Sequence, residues 1–153
     1  MKRIIFALTQ ILIVIAARVD AQTAPIFVKG ELSATNNHTG KIWLNELSMP
    51  DSTFNYSVAQ AVYDKSAKLD WHIHPAGQIL MVTEGEGYYQ EKGQPAKVIH
   101  KGDVVKCPPG VAHWHGSTPG STFTYVAVTP AQKGKTIWLQ RVTDDEYKNA
   151  KNK

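Results

Sequence analysis

From Trp43 to Val142 apolar and polar residues alternate in short runs, and each run is closed by glycine or proline. A period of two is the mark of a strand with one face in a core and the other toward solvent. The pattern predicts strands over Trp43–Leu47, Phe54–Tyr63, Gln78–Thr83, Gly87–Glu91, Ala96–His100, Asp103–Cys107, His113–Gly116, Phe123–Thr129 and Ile137–Val142. Gly85-Glu86-Gly87, Lys92-Gly93, Pro108-Pro109-Gly110 and Pro119-Gly120 supply the residues that reverse a chain. Residues 22–40 read as loop, with a turn at 36–40. Helical periodicity is nearly absent until the end, where Thr143 and Glu146 have the spacing of a capping box and Asp144 and Asp145 suit a helix N-terminus. Many short strands with regular turns predict an all-β fold, a sandwich or a double-sheet jelly roll with one short C-terminal helix.

Composition changes this picture at the ends. Lys2 and Arg3 precede an apolar stretch from Ile4 to Ala17, and Val19-Asp20-Ala21 offers small residues where a signal peptidase cuts. Residues 1–21 are therefore expected to be a signal peptide of bacterial type, and residues 22–153 one exported domain, periplasmic or secreted. The apolar stretch is shorter than a spanning helix needs, so no stable membrane association is expected after cleavage. The formal net charge is only +4, with lysines and arginines dispersed, which excludes the clustered basic face of a nucleic-acid binder. Cys107 is the single cysteine, so it has no disulfide partner within the chain, and its apolar neighbours mark it as a buried, inert thiol.

The chemistry lies in two histidine windows. In Trp71-His72-Ile73-His74-Pro75-Ala76-Gly77-Gln78, strand parity points His72 and His74 to one face and Trp71 and Ile73 to the other. Pro75 and Gly77 then turn the chain and can return Gln78 beside the two rings. In Pro108-Pro109-Gly110-Val111-Ala112-His113-Trp114-His115, the turn delivers His113 at a strand start, with His115 on the same face and Trp114 opposite.

Together the windows resemble the two motifs of the cupin superfamily. The first, H-x-H followed by Glu or Gln and then Gly, is met by His72, His74, Gln78 and Gly85. The second, G-x₅-P-x-G-x₂-H, is met by Gly102, Pro108, Gly110 and His113. The resemblance covers a core of about residues 70–116 and implies a single-domain double-stranded β-helix, the jelly-roll barrel of that superfamily. It implies one divalent metal ion held by His72, His74, Gln78 and His113. Imidazole and amide donors suit manganese, iron, cobalt, nickel or zinc, and four protein ligands leave two octahedral positions open. Gln78 stands where Glu is commoner. Either it binds and leaves the ion its full charge, or it only supports the barrel around a three-histidine site.

A finer resemblance links Trp71-His72-x-His74-Pro75-x-Gly77-Gln78, His113-Trp114-His115-Gly116 and Val142–Tyr147 to small bacterial cupins that include manganese-dependent hydroxynitrile lyases. It implies manganese, a small-molecule substrate, and cleavage of a cyanohydrin to a carbonyl compound and cyanide. His115 would then exchange the proton or, alternatively, orient water or substrate. That subgroup's pattern carries a further histidine where this chain has Tyr125, a hydrogen-bond donor but a poor base, which is assigned to the catalytic set on that alignment. Metal-dependent dioxygenation or isomerisation, and non-catalytic binding of a small ligand, are the competing expectations. Trp43, Tyr56, Val58 and Gln60 are expected to add a wall or lid, and the chain is expected to pair as a homodimer.

Overall fold

A computed structural model describes residues 25–150. The expected signal peptide, residues 1–21, lies outside the described residues. Twelve strands precede one helix: β1 (Glu31–Leu32), β2 (His38–Thr39), β3 (Ile42–Ser48), β4 (Tyr56–Tyr63), β5 (Lys68–Leu69), β6 (His72–Ile73), β7 (Gln78–Glu91), β8 (Lys97–His100), β9 (Val104–Cys107), β10 (His113–Ser117), β11 (Phe123–Pro130), β12 (Ile137–Trp138) and α1 (Asp144–Ala150). One antiparallel layer runs β1-β3-β4-β11-β7-β9. The other runs β8-β7-β10, with β5 and β6 side by side on the far edge of β10, β2 on β5 and β12 on β6. This is the all-β jelly roll expected, closed by a short C-terminal helix.

Strand β7 belongs to both layers. Its first half pairs with β11 and β9, and from Glu86 onward it pairs with β8 and β10. The expectation of a chain reversal at Gly85-Glu86-Gly87 is therefore corrected. Gly85 has φ +72°, where a Cβ would run into the Thr122 carbonyl, and a Cβ on Gly87 would meet the Phe123 ring at 2.9 Å. The two glycines let a continuous strand bend from one sheet into the other. Two boundaries also shift. The Asp51 carboxylate accepts from the backbone of Thr53 (2.7 Å) and Phe54 (2.6 Å), so Phe54 is held in a turn and β4 begins at Tyr56. The expected strand Ile137–Val142 keeps only its first two residues, and part of the expected loop at residues 22–40 forms β1 and β2.

Parity divides the buried side chains into two clusters. Ile42, Ala61, Tyr63, Leu80, Val82, Phe123 and Tyr125 fill the space between the layers. Trp71, Tyr88, Trp114, Val142 and Tyr147 pack on the outer face of the second layer under α1. The expected capping box forms there: the Glu146 amide donates to Thr143 Oγ1 (3.1 Å), and the Thr143 amide to Glu146 Oε2 (2.8 Å). Tyr147 donates from its hydroxyl to the Ser117 carbonyl (2.7 Å), and Trp71 Nε1 donates to Glu146 (3.2 Å). The helix thus seals the back of the two histidine-bearing strands. Cys107 is buried, and burial pushes its thiol up to about 12, as an inert cysteine requires.

Tyr147→Ala should remove both the ring packing and the bond to Ser117. A loss of about 3 kcal/mol in urea unfolding is expected, the range of large-to-small core truncations. A loss below about 0.5 kcal/mol would show that α1 does not anchor the second layer.

Candidate metal centre

His72 on β6 lies directly opposite His113 on β10, so the antiparallel register brings the two windows together without any long loop. The His72 ring centroid is 4.4 Å from that of His113 and 5.0 Å from that of His74, and His74 and His113 are 5.4 Å apart. One ligand atom from each of the three lies within 4.8 Å of the others, a spacing that one metal ion can bridge. Gln78, at the start of β7, returns beside them after the Pro75–Gly77 turn. Its Nε2 donates to Thr129 Oγ1 (2.9 Å), which leaves the buried Oε1 without a partner.

The ring tautomers follow from the acceptors. Nδ1 of His72 faces the Asp70 carbonyl at 2.8 Å, and Nδ1 of His113 faces the Val111 carbonyl at 3.0 Å. A carbonyl only accepts, so each Nδ1 carries the hydrogen and each Nε2 presents a bare lone pair. His74 Nδ1 meets the Thr136 hydroxyl at 3.2 Å. Nε2 of all three histidines is buried and without a protein partner. Leaving such groups unsatisfied costs about 1–3 kcal/mol each, and outer hydrogen bonds that aim the inner nitrogens are the usual setting of metal-binding histidines. Three unpartnered imidazole nitrogens, two of them with free lone pairs, beside an unpartnered amide oxygen fit a divalent first-row ion and leave thiolate-seeking ions no sulfur ligand.

His115 sits 5.2 Å from His72 and 6.0 Å from His113, ring to ring, with both nitrogens unpartnered. It is not one of the three clustered histidines; it faces Tyr125, 5.1 Å away at 89°. Burial holds His115 and His72 well below the ordinary histidine range, with neighbouring imidazoles adding to the effect. Burial also brings His74 down to about 4 and lowers His113.

His72, His74, Gln78 and His115 open on a cavity of about 250 Å³ between the layers. Tyr125, Ala127 and Thr129 line it, which settles the parity of β11. The expected wall of Trp43, Tyr56, Val58 and Gln60 is corrected: Ser57, Ala59, Ala61 and Tyr63, of opposite parity, line the cavity instead. Gln60 and Trp43 belong to the outer face, where Gln60 Nε2 donates to the Val28 carbonyl (2.8 Å) and Lys29 lies 3.2 Å from the Trp43 ring centroid. Sequence reasoning missed Tyr63, Thr136 and Trp138. The Trp138 ring lies 5.0 Å from His72, and nothing in its local pattern indicates this.

In metal-free protein the lowered histidines tie stability to pH. Above the unfolded value of about 6.5 both states hold them neutral and the full stability is present. As pH falls from 6.5 toward 4 the unfolded chain takes up protons that the folded chain refuses, and stability is lost. Urea midpoints of chelated protein should therefore fall steadily between pH 7 and pH 4. A flat profile would mean that these rings are not buried neutral.

Comparison with known proteins agrees with this geometry. The cupin domain family matches residues 60–129. An (R)-mandelonitrile lyase from Granulicella tundricola is 36% identical over 111 residues, which is 72% of this chain and 85% of the relative. A cupin-like protein of known structure from Thermotoga maritima is 40% identical, with a TM-score of 0.80 over 83% of this chain and 97% of its own. A polyketide cyclase from Streptomyces resistomycificus shares the fold at 17% identity and a TM-score of 0.61, covering 79% and 85% of the two chains. The chain therefore belongs to the cupin superfamily, and within it resembles the hydroxynitrile lyases.

Proposed function

We propose that this cupin is a metal-dependent carbon–carbon lyase that cleaves a small cyanohydrin to an aldehyde or ketone and cyanide. The observation that carries the reading is His115: a neutral, fully buried imidazole with two unpartnered nitrogens, lining one cavity with His72 and His74 of the three-histidine cluster. A divalent ion, manganese in this proposal, held by His72, His74, His113 and the Gln78 amide oxygen, supplies Lewis-acid polarisation of a hydroxyl or carbonyl oxygen. The residues do the rest. A free nitrogen of His115 takes the hydroxyl proton. The oxygen's electron pair forms the carbonyl as the carbon–nitrile bond breaks, and that bond's pair leaves with cyanide. His115 then returns the proton, giving hydrogen cyanide. Tyr125 stands where the resembling subgroup carries a histidine, and burial raises its phenol further from ionisation, so it serves as a donor toward substrate and leaves the proton transfer to His115.

The cavity supports the substrate class. At about 250 Å³ it lies below the range of about 300–1,000 Å³ usual for larger ligands, and its walls set apolar side chains such as Ile42, Leu44, Leu69 and Trp138 among polar ones such as Ser57, Gln78, Thr129 and Thr136. A small molecule with an apolar part and a polar group fits. Export to the periplasm or beyond is part of the same proposal, supported by the Lys2-Arg3 start, the Ile4–Ala17 apolar stretch and the Val19-Asp20-Ala21 cut. So is a homodimer, supported by Ile79, Met81 and Val104, which expose apolar surface together on the outer face of the first layer.

Protein comprising residues 22–153, purified without chelator, should carry about one manganese per chain and release benzaldehyde from mandelonitrile. His115→Ala should lower that rate about 100-fold or more with the metal retained. Full metal with no release would end the lyase reading and direct attention to oxygen uptake. Equilibrium sedimentation should give twice the chain mass, and a monomer would remove the dimer from the proposal.

A further inference from the structure

Tyr63 and Tyr125 are joined hydroxyl to hydroxyl at 2.8 Å in the wall of the same cavity. Tyr63 is 0% exposed and Tyr125 5%. A hydroxyl–hydroxyl bond uses one of the pair's two hydrogens. Neither hydroxyl has another partner among the described residues, so one O–H is left over, whichever of the two donates. The rings cannot swing away to find an acceptor elsewhere. Phe123 packs on both, at 5.7 Å from Tyr63 and 5.4 Å from Tyr125, and Ala61, opposite Tyr125 in the ladder, leaves space that the ring occupies. Across the cavity, His115 lies 5.1 Å from the Tyr125 ring and 6.3 Å from that of Tyr63, with no hydrogen bond to either.

We infer that Tyr63 and Tyr125 act as one locked donor unit that holds an acceptor atom of the bound molecule beside His115, with Tyr63 as a positioning residue working through Tyr125. The unit has a single hydrogen to give, so it selects ligands that present an oxygen or nitrogen acceptor, such as a carbonyl, and gains nothing from a hydrocarbon of the same shape. Removing Tyr63's hydroxyl frees Tyr125 to rotate its hydrogen out of line. Removing Tyr125's deletes the contact, and removing both costs little more than removing Tyr125 alone.

The inference rests on the proposed lyase function only for the choice of probe. Calorimetric titration of manganese-loaded protein with benzaldehyde, and with toluene as the acceptor-free control, tests it. Tyr63→Phe and Tyr125→Phe should each raise the benzaldehyde Kd about 10-fold, and the double variant should lose no more than about 10-fold. Toluene binding should be unchanged by all three, which also shows that the cavity remains folded. Benzaldehyde affinities within twofold of the parent in both single variants would overturn the inference. So would losses that multiply in the double variant, or no benzaldehyde binding to the parent protein. If mandelonitrile is not cleaved but benzaldehyde binding still depends on Tyr63, the lyase reading fails and the donor pair stands. If mandelonitrile is cleaved and Tyr63→Phe changes neither KM nor Kd, the lyase reading stands and the donor pair fails.

Discussion

Everything in this barrel is arranged around a set of polar atoms that find no partner among the described residues. His72, His74 and His113 each bury a bare Nε2, Gln78 buries an unpaired amide oxygen, and His115 buries two free nitrogens. Each of them lowers the stability of the fold, and all but His113 line one cavity. The structure holds them there by fixing what lies behind them. Backbone carbonyls at Asp70 and Val111 set two rings, Thr136 and Thr129 hold His74 and Gln78, and α1 seals the outer side of β6 and β10 with Trp71, Trp114 and Tyr147.

Much of this was legible in the sequence, because strand parity is a rigid rule. His72 with His74, and His113 with His115, had to share faces once those segments were strands, and the Pro75–Gly77 turn had few ways to place Gln78 except beside them. Thr143 and Glu146 announced the helix start by the reach of a side chain over three residues. What could not be read depends on register between distant segments. The alternation in β4 is clear from Tyr56 to Tyr63, but parity does not say which half faces inward. The expected wall of Trp43, Tyr56, Val58 and Gln60 took the other half, whose face is crossed at Gln60 and Trp43 by the chain at Val28 and Lys29. Gly85 and Gly87 looked like a reversal because glycine serves a bend inside a strand as well as a turn between two, Gly85 by its positive φ and Gly87 by its close approach to Phe123.

The resemblance to a mandelonitrile lyase extends over 72% of the chain, and the chemistry of Tyr125 bears on how far the proposed function follows it. A histidine can accept and donate, whereas a phenol that stays protonated far above neutral pH acts chiefly as a donor. Tyr125 is bonded to Tyr63, hydroxyl to hydroxyl, so in the proposed site it offers the cavity a held hydrogen-bonding group beside His115 and apart from the three-histidine cluster.

The position of β11 has a consequence for how the protein comes into being. β4 is paired on one side by β11, and Tyr63 and Tyr125 meet across 62 residues of chain. β7, between them in sequence, also needs β11 before its first half is flanked on both edges. No early hairpin can therefore form a stable half of the barrel, and the central ladder waits until nearly the whole chain has been synthesised. Folding dominated by such distant pairings is slow. A nascent chain of this design stays open and threadable for longer than a helical protein of equal length.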